Sequence, residues 1–447
     1  MKTLLILAYE HAPFNRPGST IGAQRPYQFT KYLFRFGWRS IALCCDYKTR
    51  YTLEKRSDWK KQVREIVSVA LTSQSGKDSI VIPLPSLKYA GYFDRLWHQA
   101  VVMDVARGTF SPRGGIFNQI VRPIATFFKL FSGDHSESWQ QVSLYASELI
   151  LSKIKTDMIL AEHSPDASVF VASRLSKKSG IPWIIDFRDP MLRDLKKIAR
   201  FFYKYFTIPR FSNVSGTINV NDYWVEQDRK LFKRKTCTIL NGFDPVEFPE
   251  TTSDTSGDSL RIGYFGSIQP GQNLRVFLHA LKQLSGTEVF IQFVYRGNRF
   301  KEIVDFFQGY NFKNVSIDSS DSVPREESIR LMASCDVLLL LSLKIEGDIY
   351  LKKGVVPGKT FEYFALKKPI LLSTGDDDQL DKLILQSGAG MIGRDSDAIQ
   401  SLLRTAYKQK KAGEKIWDVS LNEGALRTFT REKQTGLLAE FMESLLK

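Results

Sequence analysis

No stretch of this chain approaches the ~20 consecutive apolar residues that a membrane-spanning helix needs, which excludes an integral helical membrane protein. Cysteine is scarce. Cys44, Cys45, Cys237 and Cys335 stand in no metal-ligand spacing, so they point to buried free thiols in a reducing compartment. No internal repeat of fixed period is visible. No interleaved aromatics of an RNA-recognition sheet, zinc finger or basic-leucine repeat supports a nucleic-acid partner. The opening run MKTLLILAYEH is apolar but short, with Glu10 and His11 close behind and no small-residue cleavage site. It reads as a first buried strand rather than a signal peptide.

What is present suits two ordinary α/β cores. The chain has 447 residues, 43% hydrophobic and 25% charged. Lys and Arg number 63 against 48 Asp and Glu, a net charge of +15. With nucleic acid unsupported, the excess leaves a phosphorylated substrate or an anionic membrane surface as partners.

The order of elements follows from hydrophobic periodicity. TLLILA reads as a strand, AQRPYQFTKYLFRFG as a helix closed by Gly37, and WRSIALCC as the next strand, a βαβ unit that predicts a parallel sheet. DMILAEH, PWIIDF, SGTINV and TCTIL continue the strands, with a helix over DASVFVASRLSKKS ended by Gly180 and another starting near Asn221 or Asp222. The polar, turn-rich stretch 249–259 reads as a linker. Alternation then restarts: LRIGYFGS, EVFIQFVY, NVSIDS, CDVLLLLSL and PILLS as strands, LRVFLHALKQL, FKEIVDFF and KTFEYFALKK as helices. The expected domains are 1–248, 260–424, and a helical tail over 425–447 that packs back on the first domain. An irregular region, 91–138, interrupts the first half. It contains VRPIATFFKLF, and LKKIARFFYKYF (residues 195–206) has the same mixture of basic and aromatic residues. Both fit either core helices with basic outer faces or a patch for an anionic bilayer.

The sharpest chemical signal is VVPGKTFEYFALKKPILL. Gly358 follows Pro357 in a turn, and Lys359 and Thr360 open a helix whose N–H groups suit a phosphate. Glu362 shares a face with Lys359, so its carboxylate can receive ribose hydroxyls while Lys359 faces a diphosphate. A surface ion pair is the plainer alternative.

This string resembles the donor-binding segment of retaining glycosyltransferases of family 4, the group 1 enzymes of GT-B fold. Further segments fit in order. LNGFDPVEF carries Asn241, Gly242 and Asp244, and is similar to an element ending the first domain. WIIDFRDP carries Asp186, Arg188 and Asp189. LRIGYFGSI resembles the opening strand and glycine turn of the second domain, and SGAGMIG a late glycine element. GSTIGAQRPYQFTKYLFRFGW, with Gly22 and Arg25, resembles the first loop and helix, where backbone N–H groups approach the donor diphosphate.

The resemblance implies two Rossmann-like domains facing each other across a cleft. It implies a nucleotide-sugar donor held by Gly22, Gly266, Ser267, Gln272, Gly358, Lys359, Thr360 and Glu362. Arg25, Asp186, Arg188 and Asp189 fall on the acceptor or cleft side, and His163, at the end of DMILAEH, joins Lys359 as a catalytic candidate. Glu162 is a weaker one, and a buried structural histidine is the plainer reading of His163. The implied activity is sugar transfer with retention to a glycan or lipid-linked acceptor in surface polysaccharide or glycolipid synthesis. No cofactor or metal is implied, and Asp376, Asp377 and Asp378 read as a solvated helix start. The implied location is cytoplasmic, peripheral at the inner membrane face.

Two departures matter. Where the family places a diphosphate-gripping Arg and Lys, this chain has Ser267 and Gln272, and where it often has a Glu, Gly354 stands. Arg275, Arg296, Lys359 or Arg25 would have to compensate. A catalytically impaired partner in a polysaccharide-assembly complex and a nucleotide-sugar epimerase are therefore the alternatives.

Overall fold

The computed structural model describes residues 1–15, 20–50, 52–54, 58–88, 137–192, 197–248, 257–269, 271–298, 300–345 and 354–447. Most of the irregular stretch 91–138, all of VRPIATFFKLF, Lys196, and the linker up to residue 256 lie outside them. The chain forms two compact units, one of Met1–Val220, Trp224–Ile239 and Thr435–Lys447, the other of Asn221–Tyr223 and Leu240–Gln434.

Among the described residues, the first unit holds strands β1 (Lys2–Leu7), β2 (Trp38–Cys45), β3 (Leu53–Glu54), β4 (Ser79–Leu84), β5 (Leu87–Lys88), β6 (Met158–His163), β7 (Trp183–Phe187), β8 (Gly216–Asn219) and β9 (Lys235–Thr238). Seven of them pair in the order β4-β2-β1-β6-β7-β8-β9. Every pairing in that sheet is parallel. β6 and β7 are buried along their whole length, as strands covered on both faces are; each opens as an apolar run and carries its polar residues, Glu162 and His163 in β6 and Asp186 in β7, toward its carboxyl end. The helices are α1 (Thr20–Tyr32), α2 (Trp59–Ser73), α3 (Glu137–Leu151), α4 (Asp166–Ser179), α5 (Lys197–Phe202) and α6 (Asp222–Phe232), the last beginning in residues of the second unit. The tight turn Leu33–Phe36 that extends α1 stops at Gly37, and α4 itself stops at Gly180, as the sequence predicts.

The second unit repeats the plan. Its strands β10 (Leu260–Phe265), β11 (Ile291–Arg296), β12 (Val315–Ser320), β13 (Val337–Leu341), β14 (Ile370–Ser373) and β15 (Gly390–Gly393) form a six-stranded sheet, β12-β11-β10-β13-β14-β15. All its pairings are parallel. Helices α7 (Leu274–Leu284), α8 (Phe300–Tyr310), α9 (Arg325–Ala333), α10 (Lys359–Ala365), α11 (Gln379–Ser387), α12 (Ser396–Lys411) and α13 (Glu423–Thr428) cover it. One face packs Phe277 and Leu281 of α7 and Leu403 of α12 against Phe293. The other packs Met332, Phe361, Phe364 and Ile384 against Leu338 and Leu372.

Helix α14 (Arg431–Leu446) starts in the second unit and finishes in the first. There Leu438, Phe441 and Met442 join Leu4, Ile6, Trp38 and Ile218 in one core.

Each sheet reverses its strand order beside its first strand, between β1 and β6 and between β10 and β13. In open α/β sheets, ligands seat outside the carboxyl ends of the strands at such a point. Of the expected site residues, Glu162 and His163 close β6, and Gly266 and Ser267 directly follow β10.

Candidate functional site

In the second unit the site is built around Tyr264, fully buried near the end of β10. Its ring stacks parallel to that of Tyr295, with centroids 5.9 Å apart, and its hydroxyl donates to the Ser267 carbonyl at 3.1 Å. The chain turns at Gly266, whose φ of +104° is one that a side chain resists. A Cβ there would also sit 3.3 Å from the Lys359 Nζ. A glycine is thus required on two counts, and its small size lets the lysine in.

Lys359 is the notable group. Its stem is partly exposed, but the amine is buried and has no hydrogen-bond partner among the described residues. It lies 3.8 Å from the centre of the Tyr264 ring, a cation–π contact. Burial pushes its pKa down from 10.5 to about 7, with the Glu362 carboxylate pulling the other way. A buried amine without a partner carries a desolvation cost that an arriving anion would offset.

The helix that follows differs from the expectation. α10 is a single seven-residue stretch, and its first amides are already engaged: Thr360 N–H donates to the Pro357 carbonyl at 3.0 Å and Phe361 N–H to Gly358 at 3.2 Å. Phosphate affinity here would come from the Lys359 amine rather than from a bare helix end. The Thr360 hydroxyl is buried beside it without a partner among the described residues. Glu362 is not paired with Lys359. It takes a charged hydrogen bond from Arg325 of α9, which reaches Glu247 at 2.8 Å with its other nitrogen. Nothing in the sequence marks Arg325, which stands 37 residues before its partner in a short polar helix.

The other candidate cations fare differently. Arg296 donates to both oxygens of Asp318 at 2.9 Å and to the Asp318 carbonyl at 2.8 Å, so it ties β11 to β12. Arg275 is exposed on α7. Gln272 stitches the turn together, accepting from Gln269 N–H at 2.8 Å and donating to the Leu341 carbonyl at 3.2 Å. Gly354 has a φ of +79°, and a Cβ on it would lie 2.9 Å from that of Tyr223, so a glutamate does not fit this backbone. Asp376 is not solvated as expected. It is buried and accepts the N–H groups of Asp378, Leu380 and Asp381 at the start of α11.

In the first unit, β6 and β7 pair Glu162 with Asp186 and His163 with Phe187 at their carboxyl ends. Arg25 is buried and spent on structure, donating to both Asp186 oxygens at 2.7 and 2.9 Å and to the Ile239 carbonyl at 2.9 Å. The His163 Nε2 lies 2.9 Å from Asp166, while its buried Nδ1 finds no partner among the described residues. Arg188 rests against Gly22, with its Nη1 3.5 Å from Glu162 and its Nε 3.8 Å from the half-exposed Asp189. Burial raises the Glu162 carboxyl to about 8, opposed by Arg188. Gly22, Arg25, Glu162, His163, Asp186 and Arg188 are thus gathered at one sheet edge.

The thiols are all free, and burial raises those of Cys45 and Cys335 to about 12. Among the described residues, no three His, Cys, Asp or Glu side chains are grouped to hold a metal, and no helix is long and apolar enough to cross a membrane.

No protein-family model matches the chain, and no curated protein matches it in sequence. Its likeness is to solved structures. Sucrose-phosphate synthase from Thermosynechococcus elongatus is 11% identical with a TM-score of 0.59, covering 99% of each chain. HepE from Anabaena, solved with UDP, is 13% identical with a TM-score of 0.56, covering 99% of this chain and 100% of its own. The catalytic domain of starch synthase IV from Arabidopsis thaliana, bound to ADP and acarbose, is 11% identical with a TM-score of 0.56, covering 100% of this chain and 98% of its own. At such identities the likeness is one of fold, and the fold is GT-B.

Proposed function

We propose that the chain is a glycosyltransferase that takes a sugar from a nucleotide-sugar donor and places it on a glycan or lipid-linked acceptor, with retention. The observation that carries this is the Lys359 amine, buried without a partner over Tyr264 and beside the Gly266 turn, where strand order reverses. Neighbouring structures that hold UDP or ADP support a nucleoside diphosphate as its anion.

In this reading protonated Lys359 faces the β-phosphate and Glu362, held by Arg325, receives the ribose hydroxyls. The acceptor oxygen bonds to the anomeric carbon as the bond from that carbon to phosphate breaks. A phosphate oxygen takes the acceptor proton, and Lys359 offsets the charge on the departing diphosphate. His163 and Arg188 in the first unit are the candidates for orienting the sugar and acceptor.

Calorimetry against UDP, ADP and GDP, followed by a donor-hydrolysis screen, tests the proposal. One nucleotide should bind, and Glu362→Ala should weaken it by about 1–3 kcal/mol. Unchanged affinity in that variant removes Glu362 from the site. The impaired-partner alternative is favoured by one fact: Gln272 and Arg296 are both committed to internal bonds. Binding without hydrolysis or transfer across the donor panel would decide for it.

A further inference from the structure

Residues 195–210, LKKIARFFYKYFTIPR, hold Lys196, Lys197, Arg200, Lys204 and Arg210 and no acidic residue, interleaved with five aromatics. In the first unit this segment runs from α5 into a wide turn at Tyr203–Thr207 and a tight one at Ile208–Phe211. One side of it is anchored. Tyr203 is buried with its hydroxyl donating to Asp166 at 2.7 Å, and Thr207, Ile208 and Phe211 are buried too.

The other side faces outward and is aromatic. Phe201, Tyr205 and Phe206 are 55%, 58% and 50% exposed. Among them the ring centroids of Phe201 and Tyr205 lie 4.6 Å apart, and Phe202 stacks on Phe206 at 5.8 Å. An isolated exposed aromatic is ordinary, but a contiguous set marks a contact surface. Cations fringe it. Lys204 is exposed, its amine 5.9 Å from the Tyr205 ring, and Arg210 is exposed with Lys177 donating to its carbonyl.

We propose that this face docks on an anionic lipid bilayer, its aromatic rings entering the interface while Lys204, Arg210 and Lys177 meet the headgroups. Charge complementarity selects this occupant: the segment carries cations of one sign, as a polyanionic surface favours, and rings that settle at headgroup depth. The proposal is independent of the donor site in the second unit.

Flotation of the full chain with vesicles tests it. Wild type should bind phosphatidylglycerol-containing vesicles at least about tenfold better than pure phosphatidylcholine, and lose most of that preference when salt rises from about 0.1 to about 0.5 M. The triple variant Phe201→Ser, Tyr205→Ser, Phe206→Ser should bind at least about tenfold more weakly at either salt. Lys204→Glu with Arg210→Glu should lose the preference for anionic vesicles and keep the residual, salt-resistant part. Hydrogen exchange on the wild type, which needs no variant to fold, should show protection of residues 197–207 on vesicles. Equal or negligible binding to both lipids overturns the proposal, as does unchanged exchange over 197–207. A wild-type dimer in sedimentation that the triple variant dissociates, without vesicle binding, would assign the face to a second copy instead.

Discussion

At the scale of single residues, Lys359 is the sharpest case of a group whose surroundings make little sense for stability alone. Between its ordinary pKa of 10.5 and the folded value of about 7, the unfolded chain binds a proton that the folded one does not. The folded state therefore gains stability as pH rises through that window, and below about 7 it carries the full cost of a buried charge. Replacing the amine by an apolar group of similar length removes that cost. Lys359→Met should thus stabilise the ligand-free protein at pH 6 by on the order of 1–3 kcal/mol while weakening nucleotide binding. A bound diphosphate would draw the proton back, so binding above pH ~7 should take one up. Affinity should be level below that point and fall by up to about tenfold per pH unit above it. Calorimetry at pH 8 in buffers of different ionisation enthalpy reads the proton directly, and Lys359→Met should abolish it. A wild-type affinity independent of pH from 6 to 9 would mean that the amine does not meet the anion.

At the scale of elements, much was legible because parallel strands buried on both faces read as short apolar blocks, and β1, β2, β6, β7, β10 and β13 all do. The helices left unplaced by the sequence are of two kinds. α12 carries its own signals, with Asp395 accepting from Ala398 N–H as a cap and Ile399, Leu403, Ala406 and Tyr407 on one buried stripe. α9 does not. It is polar, buries only Ile329 and Met332, and draws its definition from what it packs against. Its functional weight lies in Arg325, invisible from sequence because a helix pattern says nothing of a partner on α10 or at Glu247. The same limit hid the pairing of Arg25 with Asp186, 161 residues apart. Arg325 bridges Glu247 and Glu362, and two hydrogen-bonded carboxylates fix one guanidinium more firmly than either would alone. Arg325→Ala should therefore weaken nucleotide binding nearly as much as Glu362→Ala. The double variant should lose little more, a coupling of about 0.5–3 kcal/mol in a mutant cycle. Strictly additive losses would show that Glu362 needs no support from α9.

At the scale of the whole molecule, the path of the chain matters more than the number of its sheets. The first unit is left at Ile239 and completed only when the chain returns at Thr435. Leu438 and Met442 are fully buried and Phe441 nearly so, all three in the core with Leu4 and Ile6 of β1 and Trp38 of β2. Burying each such side chain contributes about 1.5–3 kcal/mol, so together they are worth roughly 5–9. That is comparable with the whole net stability of an ordinary domain, about 5–15 kcal/mol. A chain ending at Gln434 should then have a first unit that is unfolded or barely folded, while the sheet of the second unit keeps every strand. Calorimetric melting should separate the two. A nucleotide that binds the second unit should raise only the transition belonging to that unit, by mass action. Truncation should remove the other transition and leave nucleotide affinity in place. Met442→Ala, a milder change, should cost the first unit about 2–5 kcal/mol and move its transition alone. If truncation instead abolished nucleotide binding together with both transitions, the units would be one cooperative body and the assignment of the donor site to an independently folded second unit would fall.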